Sequence, residues 1–155
     1  MKPFPTRLVD YRPPRIAMLL LALAGAWQWL LPAPGIPAVP AQHIMAVAAV
    51  FAGFSIMMCA WWQFREHRVA ICPTDRTDHL ITDGVYRYTR NPMYLGVVTM
   101  LSGVAAWFGT LPFALAAVAF FLVIDRVFCP YEERKLEQAF GSDYARYRDA
   151  VRRWL

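Results

Sequence analysis

Thr82-Asp-Gly-Val-Tyr-Arg-Tyr-Thr-Arg-Asn-Pro-Met-Tyr-Leu-Gly96 decides how the rest of this chain is read. It lies between two long uncharged segments, and its fifteen residues include Gly84, Pro92, Tyr86, Tyr88, Tyr94, Asn91 and two arginines. That is more specified chemistry than an ordinary connector carries. Asp83-Gly84 supplies a tight turn. Asn91-Pro92 supplies a second break, with the proline suited to the first position of a following helix. The polar cluster is therefore expected at a helix mouth, where unpaired backbone N–H groups and a partial positive end suit an anion such as a carboxylate.

On either side of this stretch, residues 16–64 and 93–124 contain no Lys, Arg, Asp or Glu. The first run is interrupted by a proline-rich patch and the second by Gly109-Thr-Leu-Pro112. One spanning helix needs about 20 apolar residues, so each run is long enough for a helical hairpin. Of the 155 residues, 58% are hydrophobic and 17% charged, a balance that would overfill the single core of a soluble domain. The expected class is an all-α integral membrane protein with spans near 16–31, 42–64, 93–108 and 111–128.

The net charge of +5 follows membrane topology and does not form a nucleic-acid-binding face. Lys2, Arg7, Arg12 and Arg15 precede the first span, and Arg65, Arg68, Arg76, Arg87 and Arg90 occupy the central loop. The remaining seven basic residues begin at Arg126, and the two other connections carry none. By the positive-inside rule, both termini and the central loop are cytoplasmic, which fits the inner membrane of a bacterium. Cys59, Cys72 and Cys129 are odd in number and lack CxxC spacing, which argues against a disulfide frame or a zinc site. The basic, proline-rich leader of residues 1–14 and the apolar run after it imitate a signal peptide. Pro32-Ala-Pro-Gly-Ile-Pro37 stands where a cleavage site would be, so the first helix is expected to be retained.

Trp27 and Trp29 near the end of the first span and Trp61-Trp62 at the end of the second fit interfacial belts. Small residues Ala46, Ala49, Ala52, Gly53 and Ser55 in the second span, and Gly96, Ser102 and Gly103 in the third, permit close helix approach. The polar loop 65–91 is too long for a minimal connector, and Leu80, Ile81, Val85, Tyr86 and Tyr88 argue that it is ordered. Beyond Pro130, apolar residues recur from Leu136 through Phe140, Tyr144, Tyr147, Val151 and Trp154 at spacings of 4, 4, 3, 4 and 3. This stripe predicts an amphipathic helix, broken near Gly141, lying on anionic lipid.

Asp83-Gly-Val-Tyr-Arg-Tyr-Thr-Arg-Asn-Pro-Met-Tyr-Leu-Gly96, together with Glu132-Glu-Arg-Lys-Leu136 and Phe140-Gly-Ser-Asp-Tyr-Ala-Arg-Tyr147, resembles the isoprenylcysteine carboxyl methyltransferases and their phospholipid methyltransferase relatives. The likeness covers residues 78–155, half of the chain. It implies a membrane enzyme that uses S-adenosyl-L-methionine without a Rossmann domain. The chain would then be one domain, with residues 1–64 as leader and first hairpin and 65–155 as the cofactor-binding half. Carried over, the cofactor contacts fall on the segment Asp78, His79, Leu80 and Ile81, on Tyr86, Asn91, Pro92 and Tyr94, and on the pair Glu132 and Glu133. Many relatives have His where this chain has Asn91, which keeps a donor and an acceptor but cannot titrate. They also tend to carry an arginine ahead of the acidic pair, for which Arg126 is the nearest candidate and Arg134 the alternative.

The residue chemistry supports these roles. Tyr86, Tyr88 and Tyr94 offer aromatic faces for an adenine or a sulfonium cation. Glu132 or Glu133 can accept from an ammonium or a ribose, and because neighbours point roughly 100° apart on a helix, one is expected to face the pocket and the other a loop arginine. The catalytic candidates are Arg126, to hold an acceptor carboxylate, and Glu132. No metal is expected, and the other partners are the membrane and a lipid or lipophilic acceptor. A four-span transporter is the rival from another class, but such proteins usually need an ionisable group within the bilayer, and residues 16–31, 44–64 and 93–124 hold no Asp, Glu, Lys, Arg or His. A haem protein would need paired intramembrane histidines. A bare anchor would not account for the polar cluster.

Overall fold

A computed structural model describes residues 13–35, 39–67 and 79–155. The start of the leader, Cys72 and Asp78 lie outside the described residues. The described residues form six α-helices: α1 Pro13–Leu30, α2 Pro40–Glu66, α3 Pro92–Phe108, α4 Leu111–Val123, α5 Cys129–Phe140 and α6 Ser142–Ala150. A short 3-10 turn, Gly84–Arg87, precedes α3, and a five-residue π-helical segment, Ile124–Phe128, joins α4 to α5. Among the described residues there is no strand. Prolines sit in the first positions of α2, α3 and α4. Their missing N–H and fixed φ cost nothing there.

Helices α2 and α3 run antiparallel with their backbones in contact. A Cβ on Gly96 would meet the Gly53 carbonyl and Met57 N, and one on Gly103 would lie 2.7 Å from the Ala46 carbonyl. Further along, Gln42 Nε2 donates to Ala106 O across the pair. The small residues picked out in the sequence thus set this approach. Helix α4 packs against both α3 and α1. Ala17 and Ala24 of α1 meet α4 in clusters with Phe113, Ala116, Ala117 and Phe120.

Among the described residues, two helices are long and apolar enough to cross a membrane: Ala41–Glu66, with 26 residues, and the continuous rod Leu111–Phe140, with 30. Pro92–Phe108 is a shorter apolar helix. The outward faces carry large apolar side chains, among them Trp29, Ile44, Met45, Phe51 and Trp62. Exposed apolar surface on this scale suits lipid.

Two expectations need correction. Pro130 does not separate the fourth span from the acidic segment, because the rod runs straight through it. A proline inside a helix clashes with the carbonyl four residues earlier, here Arg126, and that residue lies in the widened π segment. The stripe from Leu136 does not lie on lipid. Leu136, Phe140, Tyr144, Tyr147 and Val151 pack inward with Ala60, Phe64, Leu80, Ile81 and Tyr86. The end of α2 and the central loop supply this stripe's apolar partners. Gly141, at φ +51°, makes the expected break between α5 and α6.

Candidate functional site

The loop before α3 is fixed from α2. Gln63 Nε2 donates to the Asp83 carbonyl at 3.1 Å, and Gln63 Oε1 accepts from Val85 N at 3.1 Å. Gly84 has φ +53°, and a Cβ there would collide with the Gln63 amide. The turn therefore needs glycine on two counts. Beyond it Tyr86 is buried, and its carbonyl accepts the Tyr147 hydroxyl at 2.7 Å. Burial pushes the Tyr86 phenol well above its usual range, and the nearby Glu132 carboxylate adds to the rise, so it remains a neutral donor.

At the mouth of α3, Asn91 is 7% exposed and Pro92 is fully buried. Asn91 Nδ2 donates to the Arg153 carbonyl at 3.2 Å, and Asn91 Oδ1 accepts from the Cys129 thiol at 3.4 Å. Thr89 Oγ1 donates to the same Arg153 carbonyl at 2.9 Å, and Arg90 N donates to Arg152 O at 3.0 Å. The residues after α6 are thereby strapped against the start of α3.

One turn into α3, the Tyr94 hydroxyl donates to Glu132 Oε1 at 2.5 Å. Glu133 turns the other way, 3.3 Å from Arg90 Nη2 and bonded to Arg153 Nε and Nη2 at 2.9 and 2.7 Å. Arg153 Nη1 also donates to Asp125 Oδ1, which accepts from the Trp154 indole as well. Arg90 Nη1 reaches the Tyr144 hydroxyl at 3.3 Å, while its buried Nε has no partner among the described residues.

The acidic pair therefore behaves as two different groups. Glu133 is neutralised by two guanidinium groups. Glu132 lies in the charged part of the rod, beyond the apolar stretch that ends at Ile124. Its pKa is raised to about 7, chiefly by burial; the Tyr94 bond and Lys135 pull it down, and Glu133 pushes it up. A carboxyl poised near neutrality beside a tyrosine can take up a cation or exchange a proton. Close by in the chain, His79, Leu80 and Thr82 face Phe140, Asp143, Arg146 and Tyr147 across a groove of about 570 Å³.

The structure thus brings Tyr94 to Glu132, sets Asn91 and Pro92 at the helix mouth, and buries Ile81 and Tyr86 in the adjoining cluster. His79 and Leu80 line the groove, and the His79 ring stacks on His67 at 5.0 Å. Two named residues are largely exposed. Tyr88 is 70% exposed. The Arg126 side chain is 77% exposed and bonds its neighbour Asp125. Arg134 Nε donates to the Pro130 carbonyl. Sequence reasoning missed Gln63, Thr89 and Arg153. Gln63 alone left a trace, as an amide in an otherwise apolar stretch directly after Trp61-Trp62. Arg153 was indistinguishable from the other basic residues of its segment.

Fold and site together define an α-helical membrane protein with a hydrogen-bonded tyrosine–carboxylate pair where α3 begins. Residues 41–143 match the phospholipid methyltransferase family, and the chain belongs to it. Among relatives, it is 37% identical over 81 residues to protein-S-isoprenylcysteine O-methyltransferase B of Arabidopsis thaliana, covering 49% of this chain and 40% of that protein. It is 40% identical over 75 residues to the A form, covering 46% of this chain and 36% of that protein. An uncharacterized protein of Haemophilus influenzae is 40% identical over 63 residues, 41% of this chain and all of that protein. The match spans only about two fifths of the named methyltransferases. No solved structure matches the chain.

Proposed function

We propose that this chain is an S-adenosylmethionine-dependent methyltransferase acting on a lipophilic acceptor at the cytoplasmic face of the membrane, by carboxyl O-methylation of the isoprenylcysteine type. The Tyr94–Glu132 pair at the mouth of α3 carries this reading. Four spans with both termini cytoplasmic would put that mouth on the inner side.

The residues suit the cofactor's parts. Glu132 would take the ammonium of the amino-acid head, and Arg90, with its unpartnered buried Nε, the carboxylate. Tyr86 and Tyr94 offer ring faces near a sulfonium. His79 and Leu80 would border the adenine in the groove. When bound, S-adenosylmethionine would supply an electrophilic methyl group on a sulfonium, which becomes a neutral thioether as the methyl is transferred. Tyr94 orients Glu132 by its hydrogen bond, and Ala60, Phe64 and Ile81 help keep water out. An acceptor carboxylate is already ionised at neutral pH and needs no base. Arg126, exposed on the rod, is available to hold it. Catalysis would then consist mainly of positioning and desolvation.

The second reading is N-methylation of a phospholipid amine, favoured by the raised pKa of Glu132, which would suit it to remove the amine proton. The test uses purified protein in vesicles with labelled S-adenosylmethionine and either a farnesylcysteine analogue or phosphatidylethanolamine. Label in the base-labile ester of the first supports carboxyl transfer; label in the second reverses the choice. Absence of cofactor binding by calorimetry in detergent defeats both.

A further inference from the structure

We propose that Arg153 is a positioning residue of this site, holding Glu132 at Tyr94 by fixing its neighbour Glu133. The inference rests on the reading that Glu132 binds the cofactor. Glu132 and Glu133 are consecutive on α5, so any rotation of that turn about its axis moves both carboxylates together. Arg153 grips Glu133 through two bonds, Nε to Oε1 at 2.9 Å and Nη2 to Oε2 at 2.7 Å. A planar fork on a carboxylate fixes direction as well as distance, which a single point charge does not. The grip on Glu133 therefore sets where Glu132 points.

The same residue also secures the other half of the pair. The Arg153 carbonyl accepts from Thr89 Oγ1 and Asn91 Nδ2, the two residues that lead into α3. Tyr94 is one turn further along that helix. Arg153 thus ties the start of α3 through its backbone and the start of α5 through its side chain. Its guanidinium is itself aimed by Asp125, through Nη1 to Oδ1 at 3.1 Å. Substitution removes only the side-chain tie and leaves the carbonyl in place, so the two roles can be separated.

The experiment compares the unchanged protein with Arg153→Met, Arg153→Lys, Glu133→Gln and the Arg153→Met/Glu133→Gln double variant. It measures S-adenosylmethionine affinity by calorimetry and the unfolding temperature of each in detergent. Arg153→Met is expected to weaken binding about tenfold, with Glu133→Gln similar and the double variant no worse than the weaker-binding single. Lysine restores charge but not the fork, so Arg153→Lys should recover part of the loss. The KM for cofactor should rise while kcat at saturation stays near that of the unchanged protein. Arg148→Gln, whose partner is the exposed Glu137, should leave affinity unaltered. Unchanged affinity in Arg153→Met, additive losses in the double variant, or equal losses in the Lys and Met variants would each overturn the proposal while leaving the cofactor site intact. If the unchanged protein does not bind the cofactor, the site assignment itself falls, and this inference with it.

Discussion

Glu132 is subject to two opposite pH dependences, and both are measurable. Its pKa in the fold is about 7, above its ordinary value of 4.5, so the folded chain holds this proton more tightly than the unfolded chain does. The resulting stability is fully present below about pH 4.5 and is lost as pH rises through about 7. Thermal unfolding of Glu132→Gln should show a flatter dependence across that window than the unchanged protein. Cofactor binding should run the other way, because a carboxylate must be ionised to take an ammonium. Calorimetric affinity should fall as pH drops through 7, and the dependence should weaken in Glu132→Gln. Removing the hydroxyl in Tyr94→Phe leaves the carboxylate without its donor, and S-adenosylmethionine binding should weaken by about tenfold. At this scale the sequence showed that the acidic pair would divide its duties, with one member facing a loop arginine. It could not name Arg153, because that pairing exists only once α6 has brought residue 153 back across the rod.

Among the elements, the α2–α3 pair is the most constrained. Gly53 and Gly96 face each other with no room for a Cβ, so Gly53→Val should separate the helices. The expected cost is about 1–3 kcal/mol, seen as a lower unfolding temperature in detergent. The loop ahead of α3 depends on Gln63. Gln63→Ala removes both bonds to the Asp83–Val85 turn and should raise the cofactor KM more than it lowers the unfolding temperature. The closeness of α2 and α3 was legible from their small residues, and the turn from Asp83-Gly84. The partner of the Leu136 stripe was not legible: helical periodicity reports that a face is apolar, while what covers it depends on where the loop returns. Pro130 misled for a related reason. Whether a proline ends a helix depends on the carbonyl four residues back, and a π turn there changes the outcome.

For the whole molecule, the proposed four-span arrangement puts the basic segments on one side of the bilayer. Single cysteines introduced at Gly35 and at Arg87, in a background with the native cysteines replaced, should be labelled by an impermeant maleimide from opposite sides of sealed vesicles. Labelling from the same side would overturn that topology. Composition and charge made the membrane class plain. The length of each apolar helix was less so, since among the described residues only Ala41–Glu66 and Leu111–Phe140 reach the length and hydropathy of a full crossing.

The unbroken course of that second rod has a mechanical consequence. One continuous helix carries exposed Leu115, Val118 and Leu122 at one end and the Glu132 carboxylate at the other. A thinner or thicker hydrocarbon layer changes the tilt of such a helix, and any tilt would move Glu132 relative to Tyr94. Turnover should therefore peak at one acyl-chain length in a series of otherwise identical vesicles and decline for both shorter and longer chains.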